Sequence, residues 1–411
     1  MTRTALRHLR VLDLSRVLAG PWAGQMLADL GADVIKVERP GSGDDTRTWG
    51  PPYLKDTEGR DTGDAAYFLC ANRNKRSVTI DFTRPEGQQL VQDLAAKSDV
   101  LIENFKPGGL KRYGLDYDSL ASLNPRLVYC SISGFGQDGP YASRAGYDFL
   151  MQGMGGLMSI TGHPDGEPGA GPVKVGVALT DVLTGLHATT AILAALNHRD
   201  HDGERGRGQH IDLSLLDVQV ACLANQNMNY LYGGASPRRL GNAHPNVVPY
   251  QDFPTADGDM ILAIGNDGQF AKLCDALGRR EWAQDERFAT NGARVAHRKT
   301  LIPLLRQETV RRTTSEWIAQ LEAAGVPCGP INDIAQVFAD PQVQARGMRI
   351  EMQHPVAGPI PLVASPMRLS DTPVAYHRAP PLLGEHTREV LAQVLGLDAD
   401  ACQALADAGI V

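Results

Sequence analysis

Residues 9–38, LRVLDLSRVLAGPWAGQMLADLGADVIKVE, decide the fold. Leu9–Leu14 (LRVLDL) is a short apolar run that reads as a strand, and Gly20–Leu30 (GPWAGQMLADL) reads as a helix. Asp33–Glu38 (DVIKVE) reads as a second strand, and together the three make one βαβ unit. A unit of this kind leads to a parallel sheet.

Further along the chain the pattern recurs. After a polar loop rich in Gly, Pro and Asp (40–64), a strand is expected at Ser77–Asp81. A helix at Pro85–Lys97 with proline in its first turn and a strand at Asp99–Phe105 follow, and Leu127–Ser133 (LVYCSIS) gives another strand. Strands alternating with helices predict an α/β protein with a doubly wound parallel sheet. A strand and helix fall at Gln209–Tyr230, then a Gly/Pro/Asn-rich stretch at Tyr232–Pro254. A strand at Met260–Ile264 and helices at Gly268–Leu277, Arg298–Arg311 and Thr314–Ala324 read as a smaller α/β module. The C-terminal part ends in an amphipathic helix near Thr387–Leu395.

At 411 residues the chain is longer than one ordinary core, so two domains are expected. A net charge of −7 and the lack of any Lys/Arg run beyond two residues argue against nucleic acid and anionic membranes as partners. Cys70, Cys130, Cys222, Cys274, Cys328 and Cys402 are scattered with no C-x-x-C pair, which suits reduced thiols in the cytoplasm. The opening MTRTALRHLRVLDLS turns into strand pattern before a signal-peptide core forms. The apolar stretch at 175–196 is broken by Asp181, Gly185 and His187 and reads as a buried helix.

That stretch carries the candidate nucleophile. Thr180 reads as an N-cap, and Val182, Leu186, Thr189, Leu193 and Leu196 recur at helical spacing. Asp181 then lies in a first turn, where the helix dipole favours an ionised carboxylate able to attack an activated acyl group. An ordinary acidic helix start has the same appearance.

Other motifs point elsewhere. Gly134-Phe135-Gly136-Gln137-Asp138-Gly139 matches G-x-G-x-x-G after a strand and keeps an NAD-dependent oxidoreductase in view. It falls late in the chain, however, with Pro140 directly behind it. Glycines that let backbone approach a ligand, or supply an oxyanion hole, are the other reading. No P-loop, G-x-S-x-G elbow or H-E-x-x-H occurs, and no metal site is expected. Arg39, Lys106, Lys111 and Arg112 follow strand ends, while Lys75 and Arg76 precede a strand. Strand C-termini line the ligand crevice of such a sheet, so these cations suit the phosphates of a nucleotide-like ligand.

The chain also resembles the class III CoA-transferases of the CaiB/BaiF type, the family of the formyl-CoA:oxalate enzyme. The resemblance runs through RVLDLSRVLAGP (Arg10–Pro21), GADVIKVERP (Gly31–Pro40), NKRS (Asn74–Ser77), ENF (Glu103–Phe105) and SGFGQDGP (Ser133–Pro140). It continues through the Asp181 helix, Arg207-Gly208-Gln209, PCGP (Pro327–Pro330) and LLGEHT (Leu382–Thr387). It implies Asp181 as nucleophile, and CoA-binding positions at Val17, Ala19, Arg39, Lys75, Asn104, Phe105 and Arg112. Gly134, Gly136, Tyr147, Gly241 and Asn242 would line the substrate. It implies an interlocked homodimer whose large Rossmann-like domain comes from residues 1–225 and 331–411, with a small domain at 226–330. CoA and acyl-CoA are substrates there, a small carboxylic acid is the partner, and no cofactor is required.

Two departures narrow the expectation. The family's mobile glycine loop matches Gly241-Asn242-Ala243-His244-Pro245, where the glycine run is lost, which argues against oxalate. GNDGQF and DERFATNGARV, within 260–295, resemble the branch acting on succinate and other short dicarboxylates. The related acyl-CoA racemases carry a His-Asp pair where this chain has Tyr147-Asp148, so a racemase here would lack one acid/base group.

Overall fold

The computed structural model describes residues 4–411. Six strands form the main sheet: Arg10–Asp13 (β1), Asp33–Glu38 (β2), Lys75–Thr79 (β3), Val100–Glu103 (β4), Val128–Ser133 (β5) and His210–Ser214 (β6). Their spatial order is β3-β2-β1-β4-β5-β6, and every neighbouring pair is parallel. This is the doubly wound order in which the winding reverses between β1 and β4. Ligands of such sheets bind outside the strand C-termini at that reversal.

Both faces of the sheet are apolar, as they must be when helices cover each side. Successive strand residues point to opposite faces. Leu12, Ile35 and Leu101 pack with Leu90, Val91 and Leu94 of helix Pro85–Ala96 and with Val390, Leu391 and Val394 from the C-terminal part. Val11, Val34, Val100 and Ile102 pack on the other side. Their partners are Ala23 and Leu27 of Ala19–Asp29 (α1), and Ala188 and Ile192 of the long helix Leu179–His201. Each such Leu, Ile or Val contributes about 1.5–3 kcal/mol by burial.

One close contact fixes the long helix. A Cβ on Gly185 would lie 2.8 Å from the Ala19 carbonyl oxygen and 3.0 Å from Trp22 Cβ. Only glycine permits the approach, and it sets the start of the long helix against the start of α1. This helix is apolar and long enough to cross a membrane, but much of it faces the core.

The chain divides into two compact units. The first takes the chain up to Leu157, then Val175–Asn227 and Gln344–Val411; the second is Met158–Lys174 and Met228–Val343. The return falls at Gln344 rather than 331, since the second unit keeps helix Ile334–Ala339 after Cys328–Pro330 has paired with Asp259–Ala263, and this unit also takes Met158–Lys174 out of the stretch 1–225. The sheet of this unit has three antiparallel strands, with Tyr250–Pro254 on its other edge. Its helices are Asp267–Leu277, Arg298–Thr309 and Thr314–Ala323.

Candidate active site

The loops beyond β1, β2 and β4 enclose a cleft of about 990 Å³ at the point where the sheet reverses. The segment after β1 is held across the reversal by Asn104. Its Oδ1 accepts the Arg16 N–H (2.9 Å), and its Nδ2 donates to the Arg16 carbonyl (2.7 Å). Val17, next in the chain, has φ +71°, a left-handed conformation that is costly for a β-branched residue. Its N–H donates to Asp44 Oδ1 (3.3 Å). No side chain caps α1, which begins two residues later and leaves its first amides for a ligand.

A raft of buried charges supports this wall. Lys36 donates to Asp44 Oδ2 (2.8 Å) and to the Ser15 carbonyl (2.9 Å) with no exposed surface. Arg47 pairs with both oxygens of Glu38 (2.8 and 2.7 Å) and reaches Asp64 (2.8 Å). Burial works against the charge on Asp44, yet Lys36 and the Thr46 hydrogen bonds hold its carboxyl down at about 2. Asp13 and Glu38 are likewise held below the usual carboxylate range, against burial, by Lys75 and Arg47 respectively.

Asp181 lines the same cleft and is in the opposite situation. It is 9% exposed, and its carboxylate accepts no hydrogen bond from the described residues. Burial first, and then the charge of Asp148, push its carboxyl up to about 7. The sequence predicts an ionised carboxylate stabilised by the helix dipole and a Thr180 cap; in the structure burial and Asp148 oppose that charge, and the cap is different. The helix begins at Leu179, and Thr180 lies inside it instead of capping it. The Thr180 hydroxyl donates to Gln219 Oε1 (2.7 Å), while Asp148 Oδ1 accepts the amides of Thr180 (2.8 Å) and Asp181 (3.3 Å). A neighbouring carboxylate thus takes the dipole's favourable position, leaving the nucleophile candidate beside a like charge. Asp148 opens helix Asp148–Met154, and its Oδ2 accepts from Gln152 Nε2 (2.7 Å).

Most of the expected CoA positions line the cleft: Val17, Ala19, Arg39, Asn104, Phe105 and Arg112. Lys75 does not. It opens β3 rather than preceding it, and its fully buried ammonium is saturated by Asp13 Oδ2 (2.9 Å), the Pro21 carbonyl (2.8 Å) and Asn72 Oδ1 (2.9 Å). Burial lowers its pKa to about 8. It is part of the raft, not a phosphate ligand.

The glycine run after β5 has a packing role. A Cβ on Gly134 would lie 2.7 Å from Gly146 Cα, and the Gly136 N–H is already spent on Ser133 Oγ (2.9 Å), which removes it as an oxyanion donor. Gly134, Gly146 and Tyr147 line the cleft; Gly136 does not. Gly241 and Asn242 belong to the second unit, where the Gly241 N–H donates to the Gly162 carbonyl (3.0 Å).

Two residues of the site, Asp148 and Arg144, and one neighbour outside the cleft lining, Tyr67, do not follow from the sequence. In the sequence Asp148 stands out only as the second residue of the racemase-like pair Tyr147-Asp148. Arg144 and Tyr67 carry no sequence signal. Burial, and next the Asp181 charge, push the Tyr67 phenol up to about 12, so it remains a protonated hydroxyl near that carboxylate.

Residues 6–387 match the family model of CoA-transferase family III. The chain is 56% identical over 389 residues to the succinate–glutarate CoA-transferase of Agrobacterium fabrum, covering 95% of each chain. It is 45% identical over 406 residues to the succinyl-CoA:glutarate CoA-transferase of Homo sapiens, covering 99% of this chain and 90% of that one. The crystal structure of a CaiB/BaiF family protein from Brucella suis superimposes with a TM-score of 0.83 at 54% identity, covering 95% of this chain and all of that one.

Proposed function

The chain belongs to CoA-transferase family III, and from that premise we propose that it moves CoA from succinyl-CoA, or a similar acyl-CoA, to a short dicarboxylic acid such as glutarate. The buried Asp181 carboxylate, with no cation paired to it, carries this reading.

In the proposed sequence Asp181 attacks the thioester carbonyl, expelling CoA thiolate and forming a mixed anhydride. The thiolate attacks the Asp181 carbonyl, releasing the first acid and leaving an aspartyl-CoA thioester. The acceptor carboxylate attacks that thioester, giving a second anhydride and CoA thiolate again. The thiolate then attacks the acceptor's acyl carbon, which yields the new acyl-CoA and frees Asp181. Each step exchanges one activated acyl bond for another, so no ATP is consumed.

A carboxyl poised at about 7 is a stronger nucleophile than an ordinary ionised aspartate and is still substantially deprotonated at neutral pH. Its burial limits the water that would hydrolyse the anhydrides. The uncapped start of α1 and the Tyr67 hydroxyl are the donors suited to charge developing on the acyl oxygen. Arg39 and Arg112 suit the phosphates of CoA, and Val17, Ala19, Asn104 and Phe105 suit its inner part. A homodimer is part of the proposal: Phe149, Leu231 and Tyr232 are large, exposed apolar side chains of the kind an interface covers. The six free cysteines support a reducing, cytoplasmic setting.

The test is an exchange assay with succinyl-CoA and a panel of free acids, read by mass spectrometry. A new dicarboxylyl-CoA should form without ATP, with Asp181→Ala at least about 10³-fold slower. Equal transfer by that variant, or α-proton exchange without any change of acyl group, would overturn the reading.

A further inference from the structure

A short diacid bound with one end at Asp181 brings a second carboxylate into the cleft. That group is ionised at neutral pH and meets a wall already holding Asp181 and Asp44. Without a cation it would be strongly disfavoured. Of the cleft's other cations, two are committed to carboxylates and three belong to the loops after β2 and β4. Arg16 pairs with Asp45 (3.0 Å) and Lys36 with Asp44 (2.8 Å). Arg39, Lys106 and Arg112 follow the ends of β2 and β4, where Arg39 acts on the Asp81 carboxylate and Arg112 lies over the Tyr113 ring (4.5 Å).

Arg144 differs from all of these. It lines the cleft beside Gly146 and Tyr147, four residues before the Asp148 carboxylate that accepts the Asp181 amide (3.3 Å). It forms no ion pair among the described residues. Its guanidinium lies over the rings of Tyr141 (4.6 Å) and Phe135 (5.2 Å). Stacking of this kind uses the guanidinium faces and leaves the N–H edge for an in-plane, bidentate carboxylate. The loop carrying it is closed tightly, since a Cβ on Gly146 would lie 2.4 Å from Gly134 Cα at the end of β5.

We propose that Arg144, stacked on Phe135 and Tyr141, is the receptor for the far carboxylate of the dicarboxylic substrate. This rests on the transferase reading above and adds its specificity determinant. Arg144 takes no part in bond making; it selects diacids over monoacids and sets their orientation toward Asp181.

The test compares wild type, Arg144→Ala and Arg144→Lys in three measurements: kcat/KM for succinyl-CoA with glutarate, calorimetric binding of free glutarate, and calorimetric binding of free CoA. The alanine variant should lose about 10- to 100-fold in kcat/KM and a similar factor in glutarate affinity. Lysine should restore part of the loss, and CoA affinity should change by less than about threefold. Unchanged kcat/KM and glutarate binding would overturn the proposal. So would an equal loss of CoA affinity, which would make Arg144 a phosphate ligand instead. A wild-type protein that transfers CoA to no acid would sink the transferase reading alone, since glutarate binding tests Arg144 separately.

Discussion

The raft beneath the cleft and the Asp181 site both bury carboxylates within the same unit, with opposite results. In the raft every carboxylate has a cation within hydrogen-bonding distance, and Asp13, Glu38 and Asp44 are held acidic despite burial. At Asp181 no cation offsets the burial, the neighbour is another carboxylate, and burial first and then that charge raise the pKa to about 7. Buried charge with a partner builds a wall; buried charge beside a like charge builds a reactive group. The two are linked, because the raft's Asp44 holds the Val17 amide at the mouth of the cleft.

The largest effect that separates the two regions should come from breaking the raft. Lys36→Met removes one partner and leaves Asp44 buried and unpaired, which should cost about 3–5 kcal/mol in denaturant unfolding. A loss below about 1 kcal/mol would mean that Asp44 gains water or another cation, and that the raft is less dry than its geometry implies.

A smaller, more selective change is expected on the other side. Asp148→Asn keeps an oxygen to accept the Thr180 and Asp181 amides but removes the like charge. Asp181 should then ionise at lower pH, moving the acid limb of kcat/KM from about 7 toward the acid side, while the amide nitrogen facing Gln152 Nε2 loses the hydrogen bond that Oδ2 accepted and lowers Tm by a few degrees at most. The stability consequence has a definite sign. A carboxyl whose folded pKa is raised above its unfolded value favours the folded state below that unfolded value, and this contribution is lost as pH rises through about 7. An unmoved acid limb in the Asn variant would assign the shift to burial alone.

Much of this was legible in the chain because it is local. LRVLDL, DVIKVE and LVYCSIS fold as β1, β2 and β5 within two residues of their expected ends, and their alternation with helices gives the parallel sheet. The crevice cations Arg39 and Arg112 follow from position relative to strand ends. What was misread is non-local. Thr180 has the form of a cap, but Gln219, 39 residues on, takes its hydroxyl, and Asp148 supplies the cap from another helix. Lys75 was misplaced because β3 begins two residues earlier than its apolar pattern indicates, which turns its side chain into the raft. Arg144 stands in a loop that lines the cleft and Tyr67 in a short helix within reach of the Asp181 charge, placements that no periodicity encodes.

The most direct measurement is a search for the covalent intermediate. The protein is mixed with succinyl-CoA in the absence of acceptor, quenched in acid, digested and analysed by peptide mass spectrometry. The account predicts that the peptide containing Asp181 carries CoA as a thioester, that hydroxylamine releases it, and that Asp181→Asn shows none. Turnover with no adduct at Asp181, or with the adduct on another residue, would contradict it.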